Sequence, residues 1–168
     1  ARYGHLLRAP LQETTMVTVN LSGASLNDNT FLEFVRNAIV DRDIAPSAIC
    51  FEITETVAIT HFDRAIRFIA SLRETGCRFA LDDFGSGLSS FGYLKNIPLD
   101  FLKIDGGLVH NIANSPVDAA MVAAINDIGH VMGLKTIAEF VEDDATRDIL
   151  AAMGVDYIQG YLVGRPVD

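Results

Sequence analysis

Acidic residues recur at the ends of short apolar runs along this chain. Asn20 closes the run from Val17, Glu52 lies near the end of Ile49–Ile53 with Glu55 close behind, and Asp82-Asp83 ends the run from Arg78. Lys103 sits inside Phe101–Ile104 with Asp105 after it, Glu139 ends Thr136–Glu139, and Gln159 ends Asp156–Gln159. If the runs are neighbouring parallel strands, their ends lie about 4.8 Å apart and these groups share one rim. Unpaired carboxylates at that spacing repel one another and are pushed toward the neutral form. A bound cation is the economical remedy. All-oxygen ligands from Asp, Glu and Asn select magnesium, manganese or calcium over zinc. Two adjacent aspartates let one bridge while the other caps a second ion, as in phosphoryl-transfer sites with ions about 3.5–4 Å apart.

Taken singly, most of these residues have a plainer explanation. Asn20 precedes Ser22-Gly23 and suits a helix cap or turn. Glu52 and Glu55 suit solvated loop charges, Asp82-Asp83 an Asx-turn, and Gln159 a satisfied core amide. Lys103 is harder to dismiss, because a lysine inside a short apolar strand needs polar company at its tip. Their shared place on successive strand ends is what favours chemistry. The histidines, His5, His61, His110 and His130, show no metal-ligand spacing. No nucleophile elbow is present and neither cysteine ends a run beside a base, so acyl transfer has no support.

The elements that must position the rim are legible. Six runs, at 17–20, 49–53, 78–82, 101–104, 136–139 and 156–159, are short and apolar, as parallel strands covered on both faces are. Helices stand between them. Phe31, Phe34, Val35, Ala38 and Ile39 form one apolar stripe, and Phe62, Ala65, Ile66, Ile69 and Leu72 a second. Ser115-Pro116 opens a third, whose stripe takes in Ala120, Met121, Ala124, Ile125, Ile128 and Met132, with both methionines expected in the core. Ile149, Leu150 and Met153 mark a fourth. Gly76, Gly133 and Gly154 fit left-handed helix ends. Six such units suit either an open doubly wound sheet or most of a (β/α)8 barrel, and the absence of a glycine-rich phosphate loop after the first run weighs against dinucleotide binding. A whole barrel needs about 250 residues.

Composition narrows the partners. The 168 residues carry 13 Lys+Arg against 22 Asp+Glu, a charge of −9, which excludes a general nucleic-acid binder. No apolar run is long enough to span a bilayer and no signal-peptide pattern opens the chain. Cys50 and Cys77 read as small buried hydrophobes, which suits a reducing, cytoplasmic setting. One domain over residues 1–168 is expected. The chain opens at Ala1 without Met, part-way into what reads as a helix over Ala1–Ala9, so an N-terminally incomplete domain is expected.

Six blocks carry a family resemblance: V-N-L-S at Val19–Ser22, F-E-I-T-E-T at Phe51–Thr56, A-L-D-D-F-G-S-G at Ala80–Gly87, F-L-K-I-D at Phe101–Asp105, T-I-A-E at Thr136–Glu139 and Y-I-Q-G-Y at Tyr157–Tyr161. In that order and spacing the chain resembles the EAL domain family, cyclic di-GMP phosphodiesterases and their non-catalytic relatives. The resemblance implies a (β/α)8 TIM-like barrel, here six of its eight βα units with the first two strands absent. It implies metal-dependent hydrolysis of one phosphodiester bond, giving the linear dinucleotide pGpG, with two Mg2+ or Mn2+ ions and with Ca2+ inhibitory. By position, Asn20, Glu52, Asp82, Asp83 and Glu139 match metal ligands, with Asp82 bridging. Lys103 matches the lysine that orients the attacking water, and Glu55 the glutamate that braces the D-D-F-G loop. Gln159 and Asp105 fall to the substrate. The resemblance further implies a homodimer, flanking sensor or GGDEF domains in the parent protein, and a barrel that does not itself enter a membrane.

The chain departs from the family pattern at several points. The E-A-L tripeptide, with its metal-ligand glutamate and nearby arginine, is absent. Ser86 and Leu88 stand where Thr and Tyr are frequent, Phe140 where Gly is, and Gly106-Gly107 follows the K-I-D. Three function classes stay in view: the phosphodiesterase, a cyclic di-GMP sensor or docking module of the same fold, and a barrel enzyme acting on another phosphodiester.

Overall fold

The computed structural model describes residues 16–41, 44–87 and 91–165. The helix expected over Ala1–Ala9, and Leu88, lie outside them. Six strands, β1 (Val17–Leu21), β2 (Ile49–Thr54), β3 (Arg78–Phe84), β4 (Phe101–Ile104), β5 (Lys135–Ala138) and β6 (Tyr157–Ile158), form one sheet. Every neighbouring pair is parallel and the spatial order follows the chain, β1-β2-β3-β4-β5-β6. A doubly wound sheet reverses direction from an inner strand and carries helices on both faces. Here each crossover leads to the next strand and the helices share one face, as in a (β/α)8 barrel.

The main helices are α2 (Asn29–Asp41), α4 (Phe62–Arg73), α6 (Pro116–Val131) and α7 (Asp144–Met153). Short helices α1 (Gly23–Leu26), α3 (Glu55–Thr60) and α5 (Gly106–His110) follow β1, β2 and β4. Local chemistry sets their ends. Ser115 accepts from the Asp118 N–H at 3.2 Å with Pro116 as the first helical residue, so α6 starts where its cap and proline place it. Gly76, Gly133 and Gly154 hold φ of 99°, 77° and 83°, the left-handed geometry that lets the chain turn into the next strand.

Strand alternation sorts the core. Phe51, Ile53, Phe79, Leu81, Leu102, Ile104, Ala138 and Ile158 face the helices and pack with Val35, Ile69, Leu72, Ile125 and Leu150. Between them Cys50, Ala80, Phe101 and Ile137 point to the other face and form a smaller apolar layer with Met16 and Tyr157. Both cysteines are buried, and burial raises the Cys50 thiol to about 12, so it packs as an inert hydrophobe. Four residues of the expected stripes are not core, Ala120 and Ala124 of α6 and two larger side chains. Phe34 is 66% exposed and Met121 41%, because α2 and α6 turn Val35/Ile39 and Val122/Ile125 inward and leave the edge of each stripe in solvent.

A polar clamp closes the far end of the sheet. Asp156, just before β6, takes Lys135 Nζ at 2.8 Å, His130 Nε2 at 2.7 Å and the Thr136 N–H at 3.0 Å, tying α6, β5 and β6 together. Burial works against its charge, but these partners outweigh burial and hold its pKa below the ordinary 3.8. The stability it contributes is therefore complete above the unfolded-chain pKa and lost as pH falls through the folded one. Asp156→Asn is expected to cost about 1–3 kcal/mol at neutral pH in urea unfolding, with the gap from the unsubstituted protein closing in acid. A gap that persists unchanged below that range would assign the clamp to packing.

Candidate active site

The inner apolar layer and the chemistry are related by a step of two. Two residues beyond Cys50, Ala80, Phe101, Ile137 and Tyr157 come Glu52, Asp82, Lys103, Glu139 and Gln159. A strand returns to the same face every second residue, so these side chains share the inner face one layer nearer the C-terminal strand ends. Register completes the row, with Asn20 directly opposite Glu52 on β1. Barrel enzymes carry their chemistry at this end.

Lys103 is the centre of the rim. Its ammonium lies 2.7 Å from Asp82 Oδ1, 2.8 Å from Glu139 Oε1 and 3.3 Å from Glu52 Oε2, with the lysine only 2% exposed. Burial disfavours its charge, yet the pull of Glu139 and Glu52 and the bonds to Asp82 and Glu139 outweigh burial and raise its pKa. One ammonium does not neutralise the whole rim. Burial pushes Glu139 up to about 7, with Lys103 opposing and Asp82 and Asp83 adding to the rise. Asp83 is likewise raised, by burial first and then by Asp82 and Asp105.

The consecutive aspartates reach the same space because the backbone breaks alternation between them. The β3–β4 register shifts between Leu81 and Phe84, and Asp83 takes φ 57°. A bulge of this kind re-aims a side chain that would otherwise face the helices. As a result Asp82, Asp83 and Glu139 each place a carboxylate oxygen within 4.8 Å of the others. Three hard, anionic donors at that spacing fit a magnesium- or manganese-type cation. Protons and such a cation compete for the same oxygens.

The other expected site residues are placed as follows. Glu55 is 4% exposed, so it is not a solvated loop charge, and neither is Glu52 at 6%. Glu55 accepts a hydrogen bond from Tyr93, on the stretch that returns from the D-D-F-G-S-G turn. Asp105 serves as N-cap of α5, accepting from the Gly107 N–H at 2.9 Å. Gln159 lines a cleft of about 210 Å3 with Glu139, Phe140, Glu142, Gly160 and Tyr161. Asn20 is exposed on the edge strand, and the helix after it is capped by Ser22, not by Asn20. Sequence reasoning missed Tyr93 as the partner of Glu55, a pairing across 38 positions. It noted Phe140 and Gly106 only as departures, and the two meet: a methyl at Gly106 would lie 2.0 Å from the Phe140 ring.

A parallel β/α sheet whose C-terminal strand ends gather carboxylates around a buried lysine has the layout of a cation-binding β/α-barrel site. Comparison with known domain families matches the EAL domain over residues 3–166. The chain belongs to the EAL domain family. It is 44% identical over 160 residues to the cyclic di-GMP phosphodiesterase PdeB of Shewanella oneidensis, covering 95% of this chain and 19% of that protein. Curated relatives are thus matched over about a fifth of their length. Among solved structures, the PaMucR phosphodiesterase in complex with c-di-GMP superposes with TM-score 0.85 at 37% identity, covering 90% of this chain and 62% of that one. A calcium/cyclic di-GMP complex of Klebsiella pneumoniae BlrP1 gives TM-score 0.84 at 30% identity over 91% of this chain and 39% of that one. Among the described residues, no helix is long and apolar enough to cross a membrane.

Proposed function

We propose that this chain is the catalytic barrel of a metal-dependent cyclic di-GMP phosphodiesterase. The observation that carries the reading is Lys103, buried and within 3.3 Å of Glu52, Asp82 and Glu139, beside the Asp82/Asp83/Glu139 oxygens. A binding module has no need to desolvate a lysine among acids. An enzyme that must stabilise charge building on a phosphoryl group does.

In this reading Asn20, Glu52, Asp82, Asp83 and Glu139 hold two Mg2+ or Mn2+ ions, which supply Lewis-acid polarisation and charge neutralisation at the phosphoryl group. Lys103 orients the attacking water and donates to the phosphoryl oxygens as negative charge grows there. Its three N–H donors face Glu52, Asp82 and Glu139, so it donates to water and phosphate as those carboxylates turn to the cations. Glu55, gripped by Tyr93, steadies the turn that carries Asp82 and Asp83. Gln159 lines the substrate side of the rim, and Asp105 acts through its cap on α5, fixing the loop after Lys103. Water adds in line to one phosphorus, the P–O3′ bond breaks, and the linear dinucleotide leaves with a 5′-phosphate. Residues 1–168 belong to a single EAL-like barrel domain, working as a homodimer in the cytoplasm within a parent that carries sensor or GGDEF domains.

The test is incubation of the full-length protein with cyclic di-GMP and magnesium. Linear product that disappears on chelation supports the reading, whereas tight binding without product favours the sensor. Calcium is expected to bind the same oxygens and to leave turnover at least about 10-fold below the magnesium rate, since its longer bonds and looser geometry misplace the reacting groups. Turnover in calcium equal to that in magnesium contradicts this.

A further inference from the structure

Among the described residues, two that are not glycine hold a positive φ: Asp83 at 57° and Phe140 at 55°. The acidic rim accounts for Asp83. Nothing in the chemistry above uses Phe140, yet a bulky aromatic in this region is a backbone outlier that persists only where the surroundings enforce it. They do. The flanking backbone is held by Glu139 N–H to Ile104 O at 3.3 Å and Val141 N–H to Gln159 O at 3.1 Å. Gly160 lets the chains approach closely here, since a methyl on it would lie 2.2 Å from the Val141 carbonyl oxygen.

The strain does not serve to bury the ring, because Phe140 is 63% exposed. One side of it rests on buried Gly106, at the start of α5, where any side chain would collide. Its remaining surface lines the cleft shared with Glu139, Gln159 and Tyr161. The site thus presents a flat apolar wall, fixed by backbone and seated on a glycine, one residue from an acid of the rim. The geometry points to Phe140 as a stacking platform for a purine base of the bound nucleotide, with Gly106 as its seat. The assignment rests on the phosphodiesterase reading for where the phosphate lies. A planar base is the part of a nucleotide that gains from an exposed aromatic face beside a phosphate site.

The test compares Phe140→Leu, Phe140→Tyr and Phe140→Gly in the full-length protein. Calorimetric binding of cyclic di-GMP in calcium is measured beside turnover in magnesium. Loss of the aromatic face in the Leu and Gly variants is expected to raise Kd and KM about 5- to 150-fold, the range of base–aromatic stacking. The kcat should stay within about twofold, because the contact is made equally in ground and transition states. Phe140→Tyr should retain affinity, and Phe140→Gly should melt no lower than the unsubstituted protein, since it relieves the strained φ. Unchanged Kd in Phe140→Leu, or equal losses in the Tyr and Leu variants, overturns the platform. The calorimetric arm separates the two readings: binding that weakens in Phe140→Leu supports stacking even where no product forms, and a protein that neither binds nor hydrolyses the dinucleotide overturns both.

Discussion

Asp82→Asn is expected to abolish turnover, a loss of more than about 10³-fold, while the protein stays folded. Three features of the residue combine to make the effect large. Asp82 lies 2.7 Å from Lys103 Nζ, shares the 4.8 Å carboxylate group with Asp83 and Glu139, and begins the bulge that turns Asp83 inward. Asparagine keeps the shape and removes the charge, so the loss reports electrostatics. If Asp82 bridges two ions, both coordination shells lose a ligand charge and magnesium titration should weaken at both sites. Asp83→Asn should affect mainly one. Two sites of unaltered affinity in Asp82→Asn would show that the bridging assignment is wrong.

The second large effect concerns Lys103 against Glu55. Lys103→Ala should lower kcat about 10²–10³-fold with a smaller change in KM, the signature of an interaction made in the transition state. Its burial adds a consequence that strand position alone does not suggest. Without the ammonium, Asp82 and Glu139 lose the buried cation that lies between them, so the metal-free variant should lose about 3–5 kcal/mol of stability. Magnesium should restore much of that stability by binding the folded state, but not the rate. Glu55→Ala should behave in the opposite way. It frees Tyr93 and loosens the turn bearing Asp82 and Asp83, so high magnesium should recover part of its activity by mass action. A magnesium titration of both variants, read by kcat and by melting temperature, decides the assignment. Rate rescue in the lysine variant alone would mean the two roles are reversed.

The architecture was readable because parallel strands are short apolar runs and because Ser115, Pro116, Gly76, Gly133 and Gly154 mark helix ends through local geometry alone. The rim was readable for a related reason. A strand returns to one face every second residue, so its polar ends declare themselves against the apolar layer beneath. Other features depend on tertiary placement. Which edge of a stripe meets the sheet is set by how the helix rolls, hence exposed Phe34 and Met121. The bulge at Asp82-Asp83 leaves no compositional mark. Nothing local links Tyr93 to Glu55 or Phe140 to Gly106, since those pairs come from different crossovers and meet only when the sheet brings their loops together. Asp105 shows the converse. The resemblance assigns it to the substrate, and in the fold one of its carboxylate oxygens also caps α5.

The most direct measurement is turnover of cyclic di-GMP by the full-length protein in 18O-labelled water with magnesium, read by mass spectrometry of the product. The account predicts a linear dinucleotide carrying one labelled oxygen, on its terminal 5′-phosphate, formed by the unsubstituted protein and not by Asp82→Asn. Cyclic di-GMP recovered intact and unlabelled from a protein that binds it, or equal product from Asp82→Asn, would contradict the claim that this acidic rim hydrolyses the phosphodiester.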